Sequence, residues 1–193
     1  MTISELVRRN RSYRRFDGRH VLMDSDLHAL VDLARLSPSG GNKQALRFVV
    51  ATGVACDRIF PSLGWAGYLK DWKGPIEGER PTGYIVVLCE SALAACPKED
   101  AGIAAQSIML GAVEKELGGC IFMNINRKQL SEALALPESL EIMMVLAIGK
   151  PVETIVLEPI GAENDVKYWR DENETHHVPK RALADILIPI AAE

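Results

Sequence analysis

The sequence lacks the features that mark membrane, secreted and multidomain proteins. No apolar run reaches the ~18 residues that a membrane-spanning helix needs. The opening residues, Met-Thr-Ile-Ser-Glu-Leu, do not contain the apolar core of a secretion signal. No repeat, linker or low-complexity tract divides the 193 residues. We therefore expect one compact domain, no membrane segment and a cytoplasmic location.

Positive charge is not in excess. The chain has 22 Lys and Arg residues against 26 Asp and Glu residues, which gives a formal net charge of −4. Because binding along a phosphate backbone requires a basic face, nucleic acid is not an expected partner. The chain also contains no G-x-G-x-x-G fingerprint and no Ser/His/Asp or Cys/His arrangement. The sequence therefore predicts neither a dinucleotide-binding motif of that type nor catalysis by a nucleophilic side chain.

Cysteine and histidine do not predict a metal site. The cysteines, which include no C-x-x-C pair, are Cys56, Cys89, Cys96 and Cys120. Two of them lie within apolar runs, and we expect all four to be reduced and structural. His176 and His177 are adjacent, but no companion cysteine or histidine stands at ligand spacing. We interpret this pair as positioning the basic residues that follow it.

The most informative segment is residues 11–16, Arg-Ser-Tyr-Arg-Arg-Phe, which places three guanidinium groups and a serine hydroxyl within six residues. Guanidinium forks match phosphate oxygens well, and serine adds a neutral donor. The segment therefore predicts an anion-binding site. The alternative is a solvated face or a tail, which is the usual fate of a basic run.

A polar loop is predicted at residues 37–44, Ser-Pro-Ser-Gly-Gly-Asn-Lys-Gln. The preceding amphipathic segment carries on one face Leu27, Leu30, Val31 and Ala34. Pro38 disfavours helix at the residue before it, and the glycines permit backbone conformations closed to other residues. Ser39, Asn42 and Gln44 supply hydrogen-bond donors and acceptors. Such a loop can bind the edge of a planar heterocycle, or it can be an ordinary connection between a helix and a strand.

The order of elements predicts a mixed fold. Helical periodicity is found near the amino terminus, at residues 25–35 and at 100–117, with shorter helices after residue 126 and at 181–187. Short apolar runs predict strands at residues 47–52, 84–89, 120–123 and 142–148. The fold class is therefore α/β or α+β, with helices covering a sheet.

The predicted helix at residues 100–117 has Asp100 as its expected N-cap. Before residue 114, apolar residues occupy most positions around the helix. A helix that is apolar nearly all round has to be buried. It is expected either in the central core or at a subunit interface.

In order and spacing, these motifs resemble the nitroreductase family of FMN-dependent oxidoreductases. The resemblance continues at residues 100–119, 147–151 and 176–181. It implies an α+β fold, a three-layer α/β/α sandwich around a mainly antiparallel sheet. It also implies a domain-swapped-style homodimer with FMN between the subunits. Residues 1–193 would form one domain, whose C-terminal arm, about residues 152–193, wraps the partner subunit.

The resemblance assigns cofactor-binding roles to particular residues. The resemblance places three residues at the phosphate or at the N1 and O2 edge of the flavin: Arg11, Ser12 and Arg14. Arg14 is the stabiliser of N1 and O2. The other subunit would supply the loop around the isoalloxazine. Its cofactor-binding residues would be Pro38, Ser39, Gly40, Asn42 and Gln44. Near flavin N5 it places the main chain of Met123, Asn124 and Ile125. The C-terminal basic pair at the phosphate is Lys180 and Arg181.

The chain departs from the family pattern at several of these places. Asn10 stands where many relatives have a basic residue, and Gly40 replaces a common serine. Residues 45–47, Ala-Leu-Arg, replace the frequent Pro-Trp-(His or Glu) run. Lys180 and Arg181 are adjacent rather than separated by one residue. These departures affect the expected substrate preference more than the expected cofactor.

The implied reaction is ping-pong hydride transfer from NADH or NADPH through flavin N5 to a nitroaromatic, quinone or similar small acceptor. No catalytic side chain is required, because the cofactor carries the difficult step. Three alternatives stay open: a flavin-binding sensor or storage protein, a flavin-destroying or dehalogenating relative, and nucleic-acid binding by the basic amino terminus.

An aromatic cluster is the remaining indication of substrate. Trp65, Tyr68 and Trp72 lie within eight residues and are interleaved with glycines. The cluster can be a lid that selects planar acceptors, or a loop fixed to the core by its own aromatic rings. Trp169, further along the chain, is a candidate interface anchor in the C-terminal arm.

Overall fold

The computed structural model describes residues 1–93, 95 and 97–190, and the structural statements below concern these residues. The α-helices are α1 (Ile3–Arg9), α2 (Asp24–Leu36), α3 (Lys98–Glu114), α4 (Arg127–Leu134) and α5 (Leu183–Ile186). The β-strands are β1 (Leu46–Thr52), β2 (Gly83–Glu90), β3 (Gly118–Phe122), β4 (Leu140–Gly149), β5 (Ile155–Pro159), β6 (Trp169–Arg170) and β7 (His176–Lys180). Short 3₁₀ turns occupy Gly40–Asn42, Gly53–Arg58, Phe60–Ser62 and Glu77–Glu79.

A four-stranded sheet in the order β1-β2-β4-β3 organises most of the chain, and all of its neighbouring strands are antiparallel. Strand β2 lies inside this sheet and is buried along nearly its whole length. Toward one face it contributes Ile85, Val87 and Cys89. Toward the other face it contributes Tyr84, Val86 and Leu88. Because successive side chains of a strand point to opposite faces, an unbroken apolar run fills two hydrophobic clusters.

Helices α2 and α3 cover the first face. The buried residues of α2 are Leu27, Leu30 and Ala34. Helix α3 presents small side chains, and at Gly111 a β-carbon would overlap the side chain of Leu33. The two helices therefore pack closely because α3 is narrow at this contact. Irregular segments and α4 cover the opposite face, where Ile59, Leu63 and Leu130 join the second cluster.

The predicted mixed fold is confirmed as a mixed α/β fold with an antiparallel sheet. The predicted helices and the four predicted strands are present, with bounds that differ by no more than three residues. The N-cap prediction is wrong, because α3 begins at Lys98 and Asp100 lies inside its first turn. Strands β5, β6 and β7 were not predicted. No helix in the described ranges is long and apolar enough to cross a membrane.

The cysteine prediction is wrong at one position. Cys56 and Cys120 are buried thiols outside any disulfide, as expected, but Cys89 is disulfide-bonded. Cys96 lies outside the described residues. Disulfide formation depends on how close two Cα atoms come in the fold, and spacing along the chain does not determine that distance.

The chain divides into two compact units. The first comprises Met1–Trp65 and Lys73–Val152, and the second comprises Ala66–Trp72 with the described residues from Glu153 onward. The second unit contains a three-stranded sheet in the order β5-β7-β6. Strand β7 pairs parallel with β5 and antiparallel with β6.

Aromatic and charged contacts hold the second unit together. The ring of Tyr168 lies 4.9 Å from that of Tyr68 and 5.1 Å from that of His176, measured between centroids. The guanidinium carbon of Arg170 lies 4.6 Å from the ring centroid of Trp72, and Arg170 also pairs with buried Glu153 at 3.0 Å. These contacts replace the large apolar core that so short a unit cannot build.

The predicted aromatic cluster is therefore divided between the units. Trp65 belongs to the first unit, where its ring packs 4.7 Å from Phe122 and 5.6 Å from Phe60. Tyr68 and Trp72 belong to the second unit. For Trp65 the contacts support the interpretation of a loop fixed to the core by its own aromatic ring.

His177 connects three parts of the second unit. Its Nδ1 lies 3.0 Å from a carboxylate oxygen of Glu158, and its Nε2 lies 3.4 Å from one of Asp171. Its ring stacks on Trp169 at a centroid distance of 4.1 Å, and the indole N–H of Trp169 donates to Glu158. Burial lowers the pKa of His177, but the hydrogen bonds to both carboxylates outweigh burial and raise the pKa above 6.5.

This arrangement predicts that the second unit loses stability at alkaline pH. A raised histidine pKa stabilises the fold fully below 6.5, and this stabilisation disappears as the pH rises through the raised value. We expect thermal unfolding to shift downward when the pH increases from about 6 to about 9. His177→Gln should abolish most of this shift, whereas the exposed-site control His28→Gln should retain it. A full shift in His177→Gln would contradict the prediction.

Candidate functional site

The arginine segment, residues 11–14, lies along the free edge of strand β3. Ser12 forms a parallel bridge with Gly119, and the backbone N–H of Tyr13 donates to the Gly119 carbonyl at 2.9 Å. The ring of Tyr13 packs where a β-carbon on Gly118 would stand. Because Gly118 has no side chain, the segment can approach the strand closely. The sheet edge thereby fixes the direction of the basic side chains.

The two site arginines of this segment are partly withdrawn from solvent. Arg14 is only 9% exposed, and its Nη1 donates to the Ser12 carbonyl at 3.2 Å. Arg11 donates through Nη2 to the Val7 carbonyl at 2.7 Å. The Nε of Arg11 is buried and has no hydrogen-bond partner among the described residues. Burial lowers the pKa of the Arg11 guanidinium. A buried donor without an acceptor is the kind of group that an anionic ligand satisfies.

The β3–α4 segment, residues 123–126, begins where strand β3 ends. Met123 follows Gly119 by four positions along the chain, which corresponds to about 13 Å at the rise of a β-strand. Met123 is 53% exposed, whereas Ile125 is buried in the second cluster. The side chain of Asn126 caps α4 by accepting from the backbone of Gln129 at 3.2 Å. The arginine segment and the β3–α4 segment thus lie at the two ends of one strand.

Residues 62–64 hold the β3–α4 segment in place. The N–H of Gly64 donates to the Asn124 carbonyl at 2.9 Å, and the N–H of Asn126 donates to the Ser62 carbonyl at 2.8 Å. Leu63 and Ile125 form an antiparallel bridge between these bonds. A β-carbon on Gly64 would overlap the side-chain amide of Asn124. Glycine at this position therefore sets the orientation of the Asn124 side chain.

Arg127 fixes the same segment from the other side. Its guanidinium donates to the Ile142 carbonyl at 3.0 Å, to the Met143 carbonyl at 3.3 Å and to the Met123 carbonyl at 3.5 Å. The two acceptors on β4 lie at the irregularity where the pairing of β2 with β4 changes register. Arg127 thus satisfies carbonyl groups that regular sheet pairing leaves without a partner.

The motif loop, residues 37–44, has an unusual backbone. Helix α2 ends at Leu36, and a 3₁₀ turn follows. Positive φ angles occur at Gly41 (58°), Asn42 (53°) and Gln44 (50°). Glycine adopts this conformation freely, but Asn42 and Gln44 adopt it at a cost of order 1–3 kcal/mol each. Strain of this kind concentrates at binding sites, where surrounding contacts enforce it.

Helix α3 supplies the contacts that hold the motif loop. The buried carboxylate of Asp100 accepts from the Gly40 N–H at 3.0 Å. The hydroxyl groups of Ser37 and Ser107 lie 2.7 Å apart. Within the loop, the backbone N–H of Gln44 donates to the Ser39 hydroxyl at 3.3 Å. The first turn of α3 favours a carboxylate because it carries the positive end of the helix dipole.

A cavity of about 340 Å³ opens beside the motif loop. Its polar lining includes Ser39, Gln44 and Asp100, and its walls are largely apolar. Arg47 also lines it, but pairs with Glu90 at 2.8 Å. Asp100 makes no ion pair with any residue that the structure describes. The cavity therefore combines apolar walls with one uncompensated carboxylate, which suits a planar molecule that carries hydrogen-bond donors.

The C-terminal basic pair lies in the second unit. Lys180 is the last residue of β7, and its carbonyl accepts from the Ile160 N–H at 2.9 Å. Arg181 follows, and its Nη1 donates to the Asn164 side chain at 2.6 Å. Both residues are exposed. Of the two histidines before them, His176 packs its ring on Tyr168 and His177 stacks on Trp169.

The predicted site residues lie on different parts of the fold. The arginine segment and the β3–α4 segment share strand β3, while the motif loop is anchored on α3. Three contributing residues were missed: Gly64, Asp100 and Arg127. An acidic residue in a first helical turn is a recognisable signal for Asp100. Nothing in the spacing of Gly64 or Arg127 predicts their partners, because each contact joins distant parts of the chain.

Comparison with known sequences gives one family match. The chain matches the sequence model of the nitroreductase family over residues 7–71 and 81–150. These ranges include the arginine segment, the motif loop and the β3–α4 segment, whereas Lys180 and Arg181 lie outside them. No curated protein matches the chain significantly.

Solved structures share the fold at low sequence identity. A candidate nitroreductase from Desulfovibrio desulfuricans, in complex with FMN, is 22% identical, with a TM-score of 0.71 over 100% of this chain and 99% of that one. An FMN-dependent nitroreductase from Clostridium difficile is 21% identical, with a TM-score of 0.63 over 78% and 88%. A candidate NADH oxidase from Clostridium acetobutylicum is 22% identical, with a TM-score of 0.60 over 76% and 87%.

The close contact at Gly64 predicts a local effect of added side-chain volume. Gly64→Ala should displace the Asn124 side chain and destabilise the protein by about 1–3 kcal/mol, as overpacking does. Gly67→Ala is the matched control, because nothing lies within 4 Å of a β-carbon there. Thermal unfolding of the two variants measures the difference. Equal unfolding temperatures would contradict the predicted role of Gly64.

Proposed function

This chain belongs to the nitroreductase family, and we propose that it is an FMN-dependent oxidoreductase. In this proposal it transfers hydride from NADH or NADPH to a small acceptor, such as a nitroaromatic compound or a quinone, in ping-pong order. The observation that carries the proposal is the arrangement along β3. The arginine segment pairs with the beginning of this strand, and the β3–α4 segment follows its end.

The residues of the arginine segment fit the phosphate of FMN. Arg11 offers a buried Nε without a partner among the described residues, and Ser12 and Arg14 lie beside it on the sheet edge. Phosphate is the ligand that guanidinium forks match best. Two neighbours in fold are named for FMN, one as a complex and one as an FMN-dependent enzyme. By the resemblance in sequence, Lys180 and Arg181 are also proposed as phosphate-binding residues.

FMN, when bound, supplies hydride transfer through its N5 atom, and the protein's task is to orient and stabilise it. We assign Arg14 to the N1 and O2 edge, where negative charge accumulates on reduction. The main chain of Met123, Asn124 and Ile125 is assigned to the N5 side. The Gly64 N–H holds the Asn124 carbonyl in position, and the Arg127 guanidinium holds the Met123 carbonyl. No side-chain acid or base is required by this scheme.

The motif loop is proposed to reach the flavin of a partner subunit. Pro38, Ser39, Gly40, Asn42 and Gln44 would then line the isoalloxazine in a homodimer. The strained backbone of this loop and its anchor on Asp100 support a rigid binding surface.

Exposed apolar side chains also favour a homodimer. Ile103 forms part of an exposed stripe on α3, and Ile188 and Ile190 are 93% and 97% exposed near the C-terminus. Covering exposed apolar side chains with a partner removes them from water, which is favourable. The described residues from Glu153 onward are therefore proposed as an arm that covers the partner.

The donor and acceptor are proposed to bind in turn over the flavin. A transiently bound nicotinamide does not need a G-x-G-x-x-G motif, which this chain lacks. One neighbour in fold is named as a candidate NADH oxidase. Residues 45–47 differ from the usual family run and are the first positions to test for acceptor preference.

The visible absorbance spectrum of the purified protein tests the proposal directly. After reconstitution with FMN, we expect flavin bands near ~450 nm that bleach on anaerobic addition of NADH or NADPH and return with a quinone. The donor that bleaches them faster identifies the preferred co-substrate. A protein that binds no FMN would contradict the proposal. Bound flavin that neither donor reduces would instead indicate a sensor or storage protein.

A substitution at Arg14 tests its assignment. Arg14→Ala should lower the flavin midpoint potential and raise the FMN dissociation constant about tenfold to a hundredfold, because a charge-assisted contact is lost. Arg14→Lys should retain the charge and an intermediate potential. The exposed Arg8→Ala is the matched control for loss of one positive charge. An unchanged potential in FMN-loaded Arg14→Ala would remove Arg14 from this role.

A further inference from the structure

A second cavity, of about 230 Å³, is lined by none of the predicted cofactor-binding residues. Its walls are the turn at Gly18, the 3₁₀ segment Gly53–Arg58 and residues 77–82. The N–H of Gly18 donates to the Gly78 carbonyl at 2.9 Å, which joins two of these walls. The volume equals that of about eight water molecules in the liquid, so the cavity suits a small molecule of amino-acid size.

Arg80 is the main polar group of this cavity. Its guanidinium carbon lies 4.2 Å from the ring centroid of Phe60, which fixes the plane of the group. The carboxylate of the neighbouring Glu79 pairs with the Arg15 guanidinium instead, at nitrogen–oxygen distances of 2.7 and 2.8 Å. Arg80 makes no ion pair with any described residue, and its Nε is buried without a partner. A guanidinium whose plane is fixed and whose charge is not balanced by a carboxylate is suited to bind an anionic group.

Two hydroxyl groups near Arg80 are also unsatisfied. The hydroxyl oxygen of Thr82, which lines the cavity, is buried and has no partner among the described residues. The same holds for Tyr84, which is completely buried. Burial raises the pKa of Tyr84, so its hydroxyl keeps its proton and remains a donor. Buried polar atoms without partners are rare in native proteins, and a bound ligand or water is one common reason for them.

The charges around the cavity restrict the class of ligand. Asp57 and Glu77 also line it, and both are exposed carboxylates. A ligand with only a negative charge would be repelled by the two carboxylates. A ligand with only a positive charge would be repelled by the Arg80 guanidinium. Burial, and then the charge of Asp57, raise the pKa of Cys56 to about 11, so this thiol is neutral near pH 7 and adds no negative charge. A molecule with one charge of each sign can pair its anionic group with Arg80 and turn its cationic group toward the two carboxylates.

We propose that this cavity binds a small zwitterion of amino-acid size. Its carboxylate pairs with Arg80 and accepts from the Thr82 hydroxyl, while its ammonium faces Asp57 and Glu77. The fork of a guanidinium accepts a carboxylate through two parallel hydrogen bonds, which also sets the ligand's direction. This cavity shares no lining residue with the proposed cofactor site.

Titration of the ¹⁵N-labelled full chain, followed by NMR, tests the proposal. The probes are L-alanine, which carries both charges, acetate, which carries only the carboxylate, and ethylammonium, which carries only the cation. We expect L-alanine to shift the amide signals of Gly18 and Gly53 saturably and to leave that of Gly111 unchanged. Acetate and ethylammonium should bind at least about tenfold more weakly. Equal affinity for acetate, or no saturable shift with L-alanine, would overturn the proposal.

Charge variants locate the binding groups. Arg80→Gln should weaken L-alanine binding about tenfold or more, and Glu77→Gln about threefold, because Glu77 is exposed. Arg19→Gln is the matched control, since Arg19 is a surface residue that pairs with Asp17 and does not line the cavity. Unchanged binding in Arg80→Gln refutes the site. If that variant does not fold, unchanged binding in the exposed-site variant Glu77→Gln refutes it instead.

Discussion

The free edge of strand β3 is the constraint on which the proposed site depends. An edge strand exposes N–H and C=O groups that need partners, and here the backbone of Ser12 and Tyr13 supplies them. The same pairing brings Arg11 and Arg14 to the sheet. Because the strand is rigid, the basic groups at its beginning and the exposed residue Met123 after its end keep a fixed separation. A cofactor with an anionic end and a planar reactive end can use both positions.

Helix α3 has a second positioning role. Its small side chains allow α2 to pack closely, and a β-carbon at Gly111 would overlap the side chain of Leu33. The same helix directs Asp100 and Ser107 at the motif loop, where they hold Gly40 and Ser37. A strained loop keeps its conformation only when neighbouring contacts enforce it. The apolar packing of α3 is therefore also what makes the loop a rigid surface.

The second unit is stabilised differently. It holds few large buried apolar residues and relies on stacked rings and buried or half-buried ion pairs, such as Arg170 with Glu153 and His177 with Glu158. Interactions of this kind depend on protonation, whereas apolar packing does not. The stability of the two units should therefore respond differently to pH. The basic residues proposed for the phosphate, Lys180 and Arg181, follow directly from strand β7 of this unit.

The pattern of neighbouring residues in the sequence determined the helices, the four central strands and the basic character of residues 11–14. It could do so because periodicity and composition are properties of residues that are close together in the chain. It also identified the polar loop after α2. Only the tertiary structure decided which strand the arginines pair with, that Asp100 holds the loop instead of capping α3, and that Cys89 is disulfide-bonded. The tertiary structure alone separated Trp65 from Tyr68 and Trp72, and it left Arg80 without a carboxylate partner among the residues that it describes. These outcomes depend on contacts between residues far apart in sequence, and local propensity does not encode such contacts.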